Sequence, residues 1–206
     1  MRKDIYIIRH GETDYNKSGI IQGGGVNSDL NEKGRNQAGA FYDMYKDIPF
    51  DVAYASDLKR SQQTIAPFIN AGLTQKILPE IREMSWGIFE GKSSLSWMKE
   101  KYEYMLVEWD KGNYDARLEE GESATELLHR VDIFIEEIKK STASKILVCT
   151  HGRTLRCIVA RLKEQHLREM ENVKHNNVGL FQVKIENDEL SFVKENDIEH
   201  LKKKGL

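Results

Sequence analysis

The stretch Ile5-Tyr6-Ile7-Ile8-Arg9-His10-Gly11-Glu12-Thr13 is the one from which the fold can be read. Four consecutive apolar residues of β-branched and aromatic type predict a strand buried on both faces, and Gly11 supplies a tight exit from it. Arg9 and His10 are thereby left at the C-terminal edge of the strand, which in open α/β sheets is where ligands bind. An isolated Arg-His pair near an N-terminus is more often a surface pair, so the remaining chain has to supply its company.

It does so twice. Residues 51–55 read as a second strand, after which Ser56-Asp57 is expected to cap a helix carrying Arg60 in its first turn. Lys145–Thr150 reads as a central strand, followed at once by His151-Gly152 and by a helix with Leu155, Ile158, Val159 and Leu162 on one face. Arg9 with His10, Arg60 and His151 therefore fall on one edge of a sheet. Such a collection calls for an anion, and phosphate fits because a guanidinium pairs bidentately with phosphoryl oxygens and stays charged at any relevant pH. The element order predicts an α/β fold: a three-layer sandwich with a mostly parallel central sheet, helices on both faces and a C-terminal hairpin.

Bulk properties narrow the field. A length of 206 residues suits a single domain, 1–206, with a core of its own. The net charge of -2, without a Lys/Arg stretch interleaved with aromatics, offers nothing to nucleic acid or to an anionic membrane. Met1-Arg2-Lys3-Asp4 is followed by only four apolar residues before Arg9, far short of a signal peptide or a membrane span, so a cytoplasmic protein is expected. Cys149 and Cys157 both lie in apolar segments and should be reduced, buried thiols.

Between the strands, residues 14–29 with Gly23-Gly24-Gly25 read as a loop over the pocket, its glycines able to bring backbone N–H groups near phosphate. Asn31 should cap a helix that stops at Ile48-Pro49, and Pro67 should end or kink the Arg60 helix near Ala66. Residues 92–120 read as one or two helices forming a cap, with their aromatic and Met stripe turned to the core. Ser123-Ala124-Thr125-Glu126 is a capping box opening a long amphipathic helix. A hairpin around Asn187-Asp188 and a solvated Lys202-Lys203-Lys204 tail close the chain.

The tetrapeptide Arg9-His10-Gly11-Glu12 after an apolar strand resembles the signature of the histidine phosphatase superfamily, also called the phosphoglycerate mutase-like family. Ser56-Asp57-Leu58-Lys59-Arg60 is similar to that family's Ser-x-Leu-x-Arg pattern, and the segment containing Glu83 resembles its acid-carrying segment. The resemblance implies that His10 attacks phosphorus to give a phosphohistidine, that Arg9, Arg60 and His151 hold the phosphoryl oxygens, and that Glu83 is the acid. It further implies that Asn16, Gln22 and Gly23 line the phosphate pocket. A neutral His10 is needed, which the neighbouring arginines should favour, whereas burial beside Met84 and Trp86 is expected to keep Glu83 protonated. The expected reaction is hydrolysis of a small phosphorylated metabolite without cofactor or metal. A homodimer stays open.

Rival chemistries fit less well. A cysteine-dependent phosphatase needs Arg six positions after its Cys, and position 155 is Leu. The six histidines show no metal-ligand spacing. A phosphoglycerate mutase remains the alternative, because His151-Gly152-Arg153-Thr154-Leu155-Arg156 is close to the mutases' His-Gly-Asn-Ser-Leu-Arg. Against it, Glu83-Met84-Ser85-Trp86-Gly87 departs from their Glu-Arg-His-Tyr-Gly. A silent phosphoryl-binding protein should have lost His10 or Glu83. Arg153 is the clearest departure from the family and is expected to recognise a second negative group on the substrate.

Overall fold

A computed structural model describes residues 2–93, 96–187 and 189–206. Among them the strands β1 (Arg2–Arg9), β2 (Val52–Ala55), β3 (Gln75–Ile77), β4 (Lys145–Thr150), β5 (Leu180–Glu186) and β6 (Glu189–Asp197) form one sheet of order β3-β2-β4-β1-β5-β6. The first four strands of that order run parallel; β5 is antiparallel to β1 and β6 to β5, which is the expected C-terminal hairpin, although Asp188 of its turn lies outside the described residues.

Alternation along the strands divides the core into two. Ile5, Ile7, Ile146 and Val148 face α5 (Ala124–Lys140) and α6 (Gly152–Leu162), after α4 (Ser96–Asp110) has closed over the same side. Tyr6, Ile8, Leu147 and Cys149 face α2 (Glu32–Tyr45) and α3 (Lys59–Asn70), through Phe41, Tyr45, Ile65 and Phe68. Central strands buried on both faces are the reason their sequences are continuously apolar. The short α1 (Asp14–Lys17) and α7 (Glu199–Lys202) are the remaining α-helices among the described residues.

The exit of β1 is held by close backbone contact. A Cβ on Gly11 would stand 2.6 Å from the Gly34 carbonyl oxygen, and one on Gly34 only 2.1 Å from that of Glu12. Gly11 is thus required by the approach of α2 and not by a left-handed turn. Asn31 caps α2 as expected by accepting from Gly34 N at 2.8 Å, and its own side chain donates to Glu12 Oε1 at 3.0 Å. The Ser123 capping box forms in both directions.

Several expectations need correction. Helix α3 does not end near Ala66 but runs through Pro67 to Asn70, with Ile65 and Phe68 burying its face. Its N-cap is Leu58, without a side-chain bond; Asp57 instead pairs with Arg82. The loop at 14–29 starts with the one-turn helix α1, which Thr13 caps. Its glycines are packed and not free: Cβ atoms on Gly23 and Gly24 would collide with the Glu90 carboxylate at 2.1 Å and the Glu83 carbonyl at 2.7 Å. Lys202, Lys203 and Lys204 are exposed as expected, but Lys202 ends the short helix α7, whose Leu201 and His200 are buried, His200 edge-on to Phe41 at 5.2 Å.

Two glycines of one helix should respond with opposite sign. Gly34→Ala forces a methyl into backbone that cannot move aside and should cost about 1–3 kcal/mol. Gly39→Ala, where nothing lies within 4 Å, should gain about 0.5–1 kcal/mol. Urea midpoints at constant m-value report both.

Candidate active site

The C-terminal ends of β1, β2 and β4 bring His10, Arg60 and His151 together as the sequence suggests. His10 is 2 % exposed, Arg60 and His151 not at all, and the two imidazole centroids are 5.1 Å apart. The hydrogen bonds fix both tautomers. His10 Nδ1 lies 2.7 Å from the Gly11 carbonyl oxygen; a carbonyl only accepts, so Nδ1 carries the proton and Nε2 keeps its lone pair. His151 Nδ1 accepts from Arg60 Nε at 3.2 Å, which places its proton on Nε2, donated to Ser56 Oγ at 2.7 Å.

Electrostatics keep these rings neutral. Burial pushes the His10 pKa well below its ordinary value, with Arg9 and Arg60 adding to the shift; burial and then Arg60 act likewise on His151. The arginines are therefore the second cause and desolvation the first. Burial brings the Arg60 guanidinium down to about 10, still charged at neutral pH. Its fork is oriented by the glycine loop, donating to the carbonyls of Val26 and, at 3.2 Å, Gly23. Gly23 thus acts through its carbonyl on Arg60 and does not border the cavity.

That cavity, of about 340 Å³, opens over His10 and is bordered by Arg9, Asn16, Gln22 and Glu83. Glu83, 8 % exposed, accepts from Met84 N at 2.9 Å and from the first turn of α6, Arg153 N at 3.1 Å and Thr154 N at 3.2 Å. The helix N-terminus holds the carboxyl against the cavity. Arg9 Nε is a buried donor without a partner among the described residues. Asn16 Oδ1 and Gln22 are tied to Thr13, at 3.3 Å to its N and 3.0 Å to its Oγ1 respectively.

Arg153 is 7 % exposed, yet its guanidinium does not stand in the cavity. It pairs with Glu171, donates to Tyr102 Oη, and stacks over Trp86 and Trp109 at 5.3 and 5.6 Å. The two cysteines are buried and free, and burial pushes each thiol up to about 12, so neither supplies a thiolate nucleophile.

Sequence reasoning missed the segment before β5. His175 Nδ1 faces Arg9 Nη1 at 3.5 Å, and burial with Arg9 nearby lowers it to about 3. Asn177 donates to the His10 carbonyl at 2.9 Å, while Val178 N donates to that of Arg9 at 3.0 Å. Val178 does so at φ 56, strained for a β-branched residue. A polar run between a helix and a strand carries no periodicity by which to single these residues out. Glu90 was also missed; it joins the glycine loop to the acid segment by accepting from Gly25 N and Trp86 N, each at 2.8 Å.

Fold and site define an α/β protein in which Arg9, His10 and Glu83 border one cavity, while Arg60 and His151 are fully buried beside His10 and do not border it. The family model of the histidine phosphatase superfamily (branch 1) matches residues 5–198, and the chain belongs to that superfamily. It is 31% identical over 199 residues to the Hydrogenobacter thermophilus protein named "Putative phosphoserine phosphatase 2", covering 96% of this chain and 97% of that one. A Yersinia pestis protein named "Probable phosphoglycerate mutase GpmB" is 34% identical over 162 residues, 77% of this chain and 74% of its own. Among solved structures, the alpha-ribazole phosphatase from Shigella flexneri superposes with a TM-score of 0.83 at 26% identity, covering 96% of each chain.

The lowered histidines fix the sign of the acid response. Each folded pKa lies below the unfolded value near 6.5, so the unfolded chain binds protons first. Stability is then complete above about pH 6.5 and falls as pH drops toward the folded values, about 3 for His175 and about 4 for His200. Urea unfolding at pH 7.5 and pH 5 should show a lower midpoint at pH 5. Imidazole ¹⁵N spectra should place the His10 midpoint below that of a free imidazole.

Proposed function

We propose that this single-domain protein, with residues 92–120 as its cap, is a phosphatase that hydrolyses small phosphomonoesters through a phosphohistidine on His10. The observation that carries the reading is the bond from His10 Nδ1 to the Gly11 carbonyl, which leaves a neutral Nε2 lone pair beside a cavity that also holds Glu83. In the first step Nε2 forms a bond to phosphorus while the P–O bond to the alcohol breaks; the departing oxygen takes a proton from Glu83. In the second, Glu83 takes a proton from water, the water oxygen attacks phosphorus, and the N–P bond breaks to return neutral His10 and inorganic phosphate.

Charge on the phosphoryl oxygens is met by Arg9, whose Nε, unpartnered among the described residues, offers a donor. Arg60 and His151, whose donors are taken up by Val26, Gly23, Ser56 and each other, do not border the cavity and reach the phosphoryl group only by exchanging those bonds for it. Asn16 and Gln22 complete the lining, with Gly23 setting the Arg60 fork. No cofactor or metal takes part. The names of the Hydrogenobacter and Shigella relatives support hydrolysis. The Yersinia relative's name supports the second reading, a mutase, in which an alcohol instead of water would take the phosphoryl group from His10.

Glu83→Gln separates the roles. With esters of poor leaving groups the rate should fall by about 10²–10⁴, whereas 4-nitrophenyl phosphate, whose phenolate leaves without a proton, should lose far less in the phosphorylation step. Single-turnover kinetics with release of inorganic phosphate as the readout test this; equal loss on both substrates would remove Glu83 from the acid role, and transfer to an added alcohol without phosphate release would favour the mutase.

A further inference from the structure

Beyond the phosphorus end, the cavity changes character. Its far wall is built from Ile21, Trp86, Phe89, Met98, Tyr102 and Leu118, contributed by the first loop, the acid segment and the cap. The only charge there among the described residues is Lys99, whose side chain is 71% exposed and has Glu103 at 3.7 Å. A carboxylate on the alcohol half would therefore lose its water against apolar side chains without a buried partner, which is costly, whereas a ring would gain contact.

Arg153 is the residue that could have reversed this balance, and its geometry excludes that role. Glu171 matches its charge and also takes Arg156 at 3.4 Å, while the guanidinium carbon lies 5.3 Å from the Trp86 ring centroid and 5.6 Å from that of Trp109. What Arg153 does hold is the wall itself. It fixes Tyr102 through the phenolic oxygen and Trp86 through its ring face, and these two rings meet edge to face with centroids 5.8 Å apart. The same residue's N–H holds Glu83. Wall and acid are thus set by one residue at the start of α6.

We infer that the alcohol half of the site selects phosphomonoesters of apolar, ring-bearing alcohols that lack a second acidic group, and that Arg153 is a positioning residue for the aromatic wall. The inference rests on the phosphatase reading above and names its substrate class. A volume of about 340 Å³ is at the small end of ligand cavities, which span ~300–1,000 Å³, and suits a phosphoryl group with a single ring.

The test compares esters of aliphatic alcohols, so that leaving-group ability is similar throughout: 2-phenylethyl phosphate, glycerol phosphate, phosphoserine and 3-phosphoglycerate. The kcat/KM for 2-phenylethyl phosphate should exceed each of the others by at least about tenfold, and Trp86→Ala should shrink that ratio. Arg153→Met, which keeps the stem but not the bond to Tyr102, should raise KM for 2-phenylethyl phosphate more than for phosphoserine. Phosphoserine or 3-phosphoglycerate turned over as well as the phenylethyl ester by the unaltered protein would overturn the inference. So would an Arg153→Met effect confined to the carboxylated esters. If no ester is hydrolysed, 4-nitrophenyl phosphate included, the phosphatase reading itself falls, and the inference with it.

Discussion

The hydrogen bond from His10 Nδ1 to the carbonyl of the next residue is the constraint on which the remaining site depends. It assigns the proton of the imidazole and so decides which nitrogen keeps its lone pair. For that bond to form, the chain must turn at Gly11 directly after a buried strand, and the turn is pinned on every side. Thr64 Oγ1 accepts from Gly11 N at 2.9 Å, the Gln37 side chain from Glu12 N at 2.9 Å, and Gly34 lies against it without room for a methyl group. Helices α2 and α3 thus serve the site by holding one peptide in place, and their buried faces in the second core hold them. Preorganisation of this kind means that little has to move when charge develops.

Burying cations next to imidazoles would be unfavourable if both carried charge. The structure resolves the conflict by leaving the rings neutral and the guanidinium groups charged, with carbonyl oxygens instead of a carboxylate on the Arg60 fork. A carboxylate there would neutralise the charge an anionic ligand should meet. The one carboxyl bordering the cavity among the described residues, Glu83, takes its hydrogen bonds from the first turn of α6 and acts on Arg9 and Arg60 only through its field. Arg153 follows the opposite rule: it is given Glu171 and two indole faces, so its charge is spent on structure.

Much of this was legible in the sequence because strands and capped helices have short signatures. The apolar runs of β1 and β4, the Ser123 box and the Asn31 cap need only local information, and each strand end delivered a residue the structure brings to one place. What could not be read was tertiary. Pro67 marks a helix end by local rules, but the helix runs on, with Ile65 and Phe68 buried. Gly23 and Gly24 read as loop residues able to bring backbone N–H groups near phosphate and prove to be sites of close approach to Glu90 and Glu83. Arg153 reads as a substrate residue from its position after His151-Gly152; that it meets Glu171 and the Trp109 ring of the 92–120 stripe is decided by packing between distant segments. His175 and Asn177, which back Arg9 and His10, reach them only because β5 pairs with β1.

The central claim is that His10 Nε2 takes the phosphoryl group. Quenching the protein in alkali during turnover of a ³²P-labelled ester, followed by fragmentation of the labelled peptide, tests it directly. The account predicts an acid-labile, base-stable phosphate on His10, bonded at Nε2, and none in His10→Ala. Label on another residue, on Nδ1, or retained in full by His10→Ala would contradict it.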